Sequence, residues 1–199
     1  MNNKITRGFS SLKGFFVTVA VFSCFVSYFE VKYLKEQGME KIASFQIDHL
    51  RLKPGAYVSR RDKYGHTVLT TFDLRYKEPN KEPVLDQPAI HTIEHLCATF
   101  LRTHQKWADK TVYFGPMGCR TGFYLILEGS HTSADILPLL KEMYEWIDKF
   151  EGAIPGASAV ECGNWREQNI DMAKYECRKY AALLKNAKRE NLEYPSDIN

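Results

Sequence analysis

His91, Glu94 and His95 stand together in the run His91-Thr92-Ile93-Glu94-His95. Residues at i and i+4 of a helix lie one above the other, so the two imidazoles point into the same volume about one turn apart, an arrangement that suits a single metal ion. Glu94 sits beside that face and is placed to move a proton rather than to ligate. Arg102 follows His95 by seven residues and so shares its face. It can grip a substrate carboxylate through two parallel hydrogen bonds, or serve as a plain solvated arginine near a helix end. Two cysteines have settings that differ from those of small buried thiols. Cys119 lies in Pro116-Met117-Gly118-Cys119-Arg120-Thr121-Gly122, where glycines let a turn present a side chain to a cleft; an adjacent guanidinium or metal there would populate the thiolate. Cys162 lies in Glu161-Cys162-Gly163-Asn164. Its thiolate can complete a His₂Cys set with the fourth position open to water or substrate, which marks a catalytic rather than a structural metal site. Cys97 and Cys177 read as ordinary buried thiols.

The elements that must carry these residues follow from periodicity. Ile90, Ile93, Cys97, Phe100 and Leu101 recur at three- and four-residue spacing behind Pro88, which predicts a helix that holds the His91–His95 pair. Thr67 to Tyr76 alternates, with Val68, Phe72, Leu74 and Tyr76 on one face, and predicts a half-buried strand that stops at the loop KEPNKEP (77–83). TVYFG (111–115) and GFYLILEG (122–129) predict two strands joined by the turn that carries Cys119. A helix is expected over Ser133 to Phe150, with its start blurred by Pro138, then a loop over 154–165 and an amphipathic charged helix over 167–190. Strands and helices mix without a regular βαβ alternation. The expected architecture is therefore a single α+β domain, an antiparallel sheet packed against helices.

The short runs SFxxDH (44–49), FDLR (72–75), HTIEHL, PMGCRTG, IPGA (154–157) and ECGN, in this order and spacing from about Met39 to Asn169, resemble the S-ribosylhomocysteine lyase (LuxS) family. The resemblance implies the LuxS metalloenzyme fold and one divalent metal per subunit, held by His91, His95 and Cys162. That metal is Fe2+, for which Zn2+ or Co2+ can substitute. It further implies Cys119 and Glu94 as catalytic acid/base groups. Ser44, His49 and Arg75 become positions that reach the active site, partly from the other subunit of a homodimer whose sites lie at the subunit interface. The implied reaction shifts a sugar carbonyl along S-ribosylhomocysteine and expels homocysteine by β-elimination, leaving 4,5-dihydroxy-2,3-pentanedione. That product is the precursor of the quorum-sensing signal autoinducer-2, so the reaction serves either signalling or only the clearance of a methyl-cycle by-product. Tyr113-Phe114-Gly115 departs from the family, whose members often carry an Asp-containing stretch there. Two other readings share the His-x-x-Glu-His run. A metallopeptidase would want a carboxylate as third ligand and gives PMGCRTG no role. A non-catalytic module would use the metal only as a structural staple.

Composition narrows the partners. The chain has 199 residues, 44% hydrophobic and 26% charged, which excludes a disordered, collagen-like or coiled-coil protein. Its net charge of +3 is confined to residues 1–38, which carry five basic and two acidic side chains, whereas the body from Met39 onward has 22 of each sign. A neutral body offers no basic footprint for nucleic acid, and no membrane partner is expected for it. Five cysteines without small-domain spacing do not form a disulfide framework. The apolar run Phe15–Phe29, behind Lys4, Arg7 and Lys13, is short for a membrane span and lacks a small-x-small cleavage site. We expect residues 1–38 to be an N-terminal extension forming an apolar helix ahead of the true start, and residues 39–199 to be the lyase domain. A cytoplasmic location is expected because the chemistry needs free thiols; an anchor or signal and a short buried helix are the other readings of the apolar run.

Overall fold

The computed structural model describes residues 46–195. The expected apolar helix at 15–29 and Ser44 lie outside the described residues. Four strands form one antiparallel sheet in the order β1-β2-β4-β3: β1 (Gly55–Tyr64), β2 (Thr67–Arg75), β3 (Thr111–Pro116) and β4 (Gly122–Glu128). Three helices accompany it: α1 (Gln87–Thr103), α2 (Ser133–Lys149) and α3 (Ile170–Lys185). The α+β architecture with an antiparallel sheet against helices is the one expected. No helix among the described residues is long and apolar enough to cross a membrane.

Strand β1 was not anticipated. Its register against β2 shifts between Val58 and Arg60, and the second half, Arg60–Tyr64, is mostly exposed and polar, so no alternation survives in the sequence. The two-residue connection Gly65-His66 closes the β1–β2 hairpin, with Gly65 supplying the positive φ of 60° that such a tight turn requires at its first position.

Strand β2 is buried more completely than its alternation predicts. Phe72 and Leu74 join Phe114, Phe123, Leu125 and Leu127 in the core, packed with Ile93, Leu96 and Leu101 of α1, Leu140 and Ile147 of α2, and Tyr180 of α3. The alternate side chains Thr71, Asp73 and Arg75 are buried as well. Their cover includes the C-terminal segment, where Tyr194 stacks on Tyr57 (centroids 4.8 Å apart, planes at 12°) and donates to Asp73 at 2.9 Å.

Helix boundaries follow their caps. α2 begins behind Thr132, whose side chain accepts from the Asp135 N–H while the Asp135 carboxylate accepts from the Thr132 N–H; Pro138 is accommodated inside the helix rather than starting it. α3 begins at Ile170, not at 167, because Asn169 caps it by accepting from the Met172 N–H at 3.0 Å. It ends at Lys185, before a separate 3₁₀ turn at Arg189–Asn191. Inside the protein, Lys77 donates to both carboxylate oxygens of Glu176 at 2.7 and 2.8 Å, a buried ion pair that ties the loop after β2 to α3.

Candidate active site

α1 buries Ile90, Ile93, Leu96 and Cys97 and leaves His91, Glu94 and His95 half-buried on its flank, as the helical spacing requires. The imidazoles of His91 and His95 meet edge to face with centroids 4.6 Å apart. The loop between α2 and α3 crosses this flank and brings Cys162 to them, with Sγ 3.3 Å from His91 Nε2. One donor atom from each of His91, His95 and Cys162 lies within 4.8 Å of the others.

Backbone carbonyls of the same loop orient both rings. His91 Nδ1 lies 2.9 Å from the Glu167 carbonyl and His95 Nδ1 lies 2.7 Å from the Pro155 carbonyl. A carbonyl can only accept, so each Nδ1 carries the proton and each Nε2 keeps a free lone pair. This is the outer shell that metal-ligating histidines characteristically have. Gly156 permits the close approach of the loop: its φ is +71°, and a Cβ there would stand 3.1 Å from His95 Nδ1. Two imidazole nitrogens and a thiolate fit a divalent transition metal with an open position; they do not fit Mg2+ or Ca2+, which want oxygen. A sulfur in the third place also departs from the carboxylate that a peptidase of the inverted motif would use.

Cys119 belongs to a different cluster. The β3–β4 turn is closed by Met117 N–H donating to the Gly122 carbonyl and Arg120 N–H to the Met117 carbonyl, and Arg120 adopts a left-handed φ of 58°. Gly122 pairs with Arg75, and a Cβ on it would run into the Leu74 carbonyl at 2.2 Å, so glycine is what lets β2 come this close. The guanidinium of Arg75 donates to Asp73 through Nε and Nη2, to Thr121 Oγ1 at 2.5 Å through Nη1, and approaches Cys119 Sγ at 3.9 Å. Because Thr121 Oγ1 accepts from Arg75, its own proton is free to donate to Cys119 Sγ, 3.1 Å away. Burial pushes the Cys119 thiol up, but the Thr121 side chain and backbone and the Arg75 charge outweigh it and hold the thiol below its ordinary pKa. Cys97 and Cys177 show the contrast, since burial drives the first well above the ordinary range and the second up to about 12.

The remaining expected residues scatter. His49 is half-buried in the turn before β1, with Nδ1 2.8 Å from the Ile47 carbonyl. Arg102 is exposed in the last turn of α1 and donates to the Val112 carbonyl at 3.0 Å, which holds it against β3. The structure also brings in groups that sequence reading missed: Asp73, Thr121, Tyr194, Gly156, and the carbonyls of Pro155 and Glu167. A charged Asp-x-Arg step in a strand whose other face is apolar was the one signal that could have singled out Asp73 with Arg75.

The sequence profile of S-ribosylhomocysteinase (LuxS) matches residues 42–191. The chain belongs to this family. Among its relatives, the S-ribosylhomocysteine lyase of Clostridium acetobutylicum is 60% identical over 157 residues, 79% of this chain and 99% of that protein. The S-ribosylhomocysteine lyase of Clostridium beijerinckii is 60% identical over 159 residues, 79% of this chain and all of that protein. The S-ribosylhomocysteine lyase of Borreliella burgdorferi is 55% identical over 157 residues, again 79% of this chain and all of that protein.

Proposed function

We propose that the chain is a metal-dependent S-ribosylhomocysteine lyase, a carbon–sulfur lyase that converts its substrate to homocysteine and 4,5-dihydroxy-2,3-pentanedione. The observation that carries the reading is the His91–His95–Cys162 triad, with both imidazoles oriented to offer Nε2, in a chain that covers essentially the whole length of relatives named as this lyase. A divalent metal on these residues, Fe2+ with Zn2+ or Co2+ as substitutes, would supply Lewis acidity to the sugar's carbonyl and hydroxyl oxygens.

The chain's own residues then move protons. The C5–S bond of the substrate leaves only when an acidic C–H stands beside a carbonyl and next to C5. Cys119, poised as thiolate by Arg75 and Thr121, takes a proton from C2 and delivers it to C1, which moves the carbonyl from C1 to C2. The same exchange one carbon further on brings the carbonyl to C3. Glu94 holds and returns the protons on oxygen during both shifts. Removal of the C4 proton then expels homocysteine thiolate from C5, and the resulting enol tautomerises to the diketone. No water enters and no net redox change occurs, so the two products contain every atom of the substrate. Arg102 is proposed to grip the substrate's carboxylate, and Ser44, His49 and Arg75 to reach the substrate in the active site.

We further read residues 39–199 as the lyase domain, preceded by an extension at 1–38, in keeping with a family match that starts at residue 42. A homodimer with its sites at the subunit interface accords with the placement of Cys119 beside Arg75, outside the metal triad, and with Tyr113, which is 46% exposed on the edge strand β3. A cytoplasmic location suits the four free thiols among the described residues. The test is metal analysis with a free-thiol assay. Cys119→Ala should keep its metal and lose homocysteine release, and Cys162→Ala should lose the metal itself; lyase activity in metal-loaded Cys119→Ala would overturn the reading.

A further inference from the structure

Thr92 lies on α1 between His91 and the buried core, with no exposed surface, and its hydroxyl meets three groups. It lies 3.0 Å from the Pro88 carbonyl and 2.8 Å from the Gln168 side-chain amide, and it accepts from the Asn169 N–H at 2.9 Å. The other end of the Gln168 amide stands 3.2 Å from His91 Nδ1, the nitrogen that also faces the Glu167 carbonyl. The amide therefore bridges a buried hydroxyl and the back of a metal-competent imidazole, 76 and 77 residues away in sequence.

The proton count selects one arrangement. With NH₂ toward His91, the amide would have to donate to a nitrogen that already carries the proton it gives to Glu167. Amide oxygen and nitrogen occupy nearly the same space, so the alternative is the same side chain turned by 180°. Gln168 Nε2 then donates to Thr92 Oγ1, and Oε1 accepts from His91 Nδ1–H together with the Glu167 carbonyl. Thr92 accepts from Gln168 and Asn169 and donates to Pro88, which uses its one proton and two lone pairs in full. In the unturned orientation His91 must carry its proton on Nε2, where it points at Cys162 Sγ and blocks the lone pair a metal needs.

We propose that Gln168, held by Thr92, is a positioning residue that reinforces the metal-ready tautomer of His91 by giving its Nδ1–H a second acceptor beside the Glu167 carbonyl. The inference rests on the reading of His91, His95 and Cys162 as a metal site. It adds two residues that touch neither the metal nor the substrate, and removing such outer-shell partners typically weakens metal affinity ~10–100-fold.

The experiment is a Co2+ titration of the metal-stripped full chain, followed by the d–d and thiolate-to-cobalt absorption bands. Gln168→Leu should bind Co2+ about 10–100-fold more weakly, with altered bands and an unchanged far-UV spectrum. Gln168→Glu, which keeps an acceptor for Nδ1–H, should retain wild-type affinity. Thr92→Val should reproduce the leucine defect, and the double variant should be no worse than either single one, because both act through one contact. Wild-type affinity and bands in Gln168→Leu would overturn this inference while leaving the metal site intact. Failure of the wild-type chain to show a thiolate-to-cobalt band would overturn the metal site and the inference together.

Discussion

Replacing Thr121 with valine removes one hydroxyl and keeps the side chain's shape, and it isolates the part of the Cys119 environment that depends on that hydroxyl. Thr121 Oγ1 accepts from Arg75 at 2.5 Å and stands 3.1 Å from Cys119 Sγ, so in the wild type its proton points at the sulfur. A hydrogen bond to a charged acceptor contributes ~1.5–3 kcal/mol and a neutral one ~0.5–1.5 kcal/mol, so the thiolate gains about 1–1.5 kcal/mol over the thiol from this contact. Losing that contact raises the Cys119 pKa in Thr121→Val and, at about 1.4 kcal/mol per tenfold, lowers the thiolate-to-thiol ratio about tenfold. The backbone N–H of Thr121 and the Arg75 charge remain, so part of the depression persists. The sign is definite. Below both pKa values the variant holds about one tenth of the wild-type thiolate, and above both the two are equal. The ratio of variant to wild-type kcat/KM should therefore start near one tenth on the acid side and climb to one with rising pH. Alkylation of Cys119 by iodoacetamide, followed by peptide mass spectrometry, should give the same displaced profile. Thr121→Ser should restore it. Superimposable pH profiles for Thr121→Val and wild type would refute the idea that Thr121 relays the Arg75 charge to the sulfur.

Glu176→Ala should cost about 3–5 kcal/mol in denaturant unfolding, because it leaves the buried Lys77 ammonium unpaired; Lys77→Met with Glu176→Leu should recover most of that loss. Gly156→Ala should lose about 1–2 kcal/mol from its left-handed φ and bind metal more weakly, since the new methyl group presses on His95; a melting curve and metal analysis report the two effects separately. A chain beginning at Met39 should remain soluble and retain full lyase activity, and an activity that depends on residues 1–38 would contradict the domain reading.

The parts of this protein that are legible in its sequence are those whose geometry is local. The helix α1 announces itself through Ile90, Ile93, Cys97 and Phe100, and the same 3.6-residue repeat places His91 and His95 on one flank. Strand β1 is hidden because the register shift after Val58 breaks the alternation and its outer half faces solvent. α3 starts three residues later than its periodicity predicts because Gln168 and Asn169 are committed elsewhere, the one to Thr92 and His91 and the other to the helix cap. The Cys119 environment depends on topology. Only the pairing of Arg75 with Gly122 across β2 and β4 brings a guanidinium 44 residues away to within 3.9 Å of the sulfur. Nothing in the spacing of Arg75, Asp73 and Thr121 reports that meeting, and only family resemblance pointed to Arg75 at all.

The most direct measurement incubates the metal-loaded chain with S-ribosylhomocysteine and follows both products at once, free thiol for homocysteine and o-phenylenediamine trapping for the vicinal diketone. The account predicts equimolar thiol and diketone from the wild type. It predicts neither from Cys119→Ala with its metal in place, nor from the metal-stripped wild type. Thiol release without the diketone, or turnover that survives either removal, would contradict it.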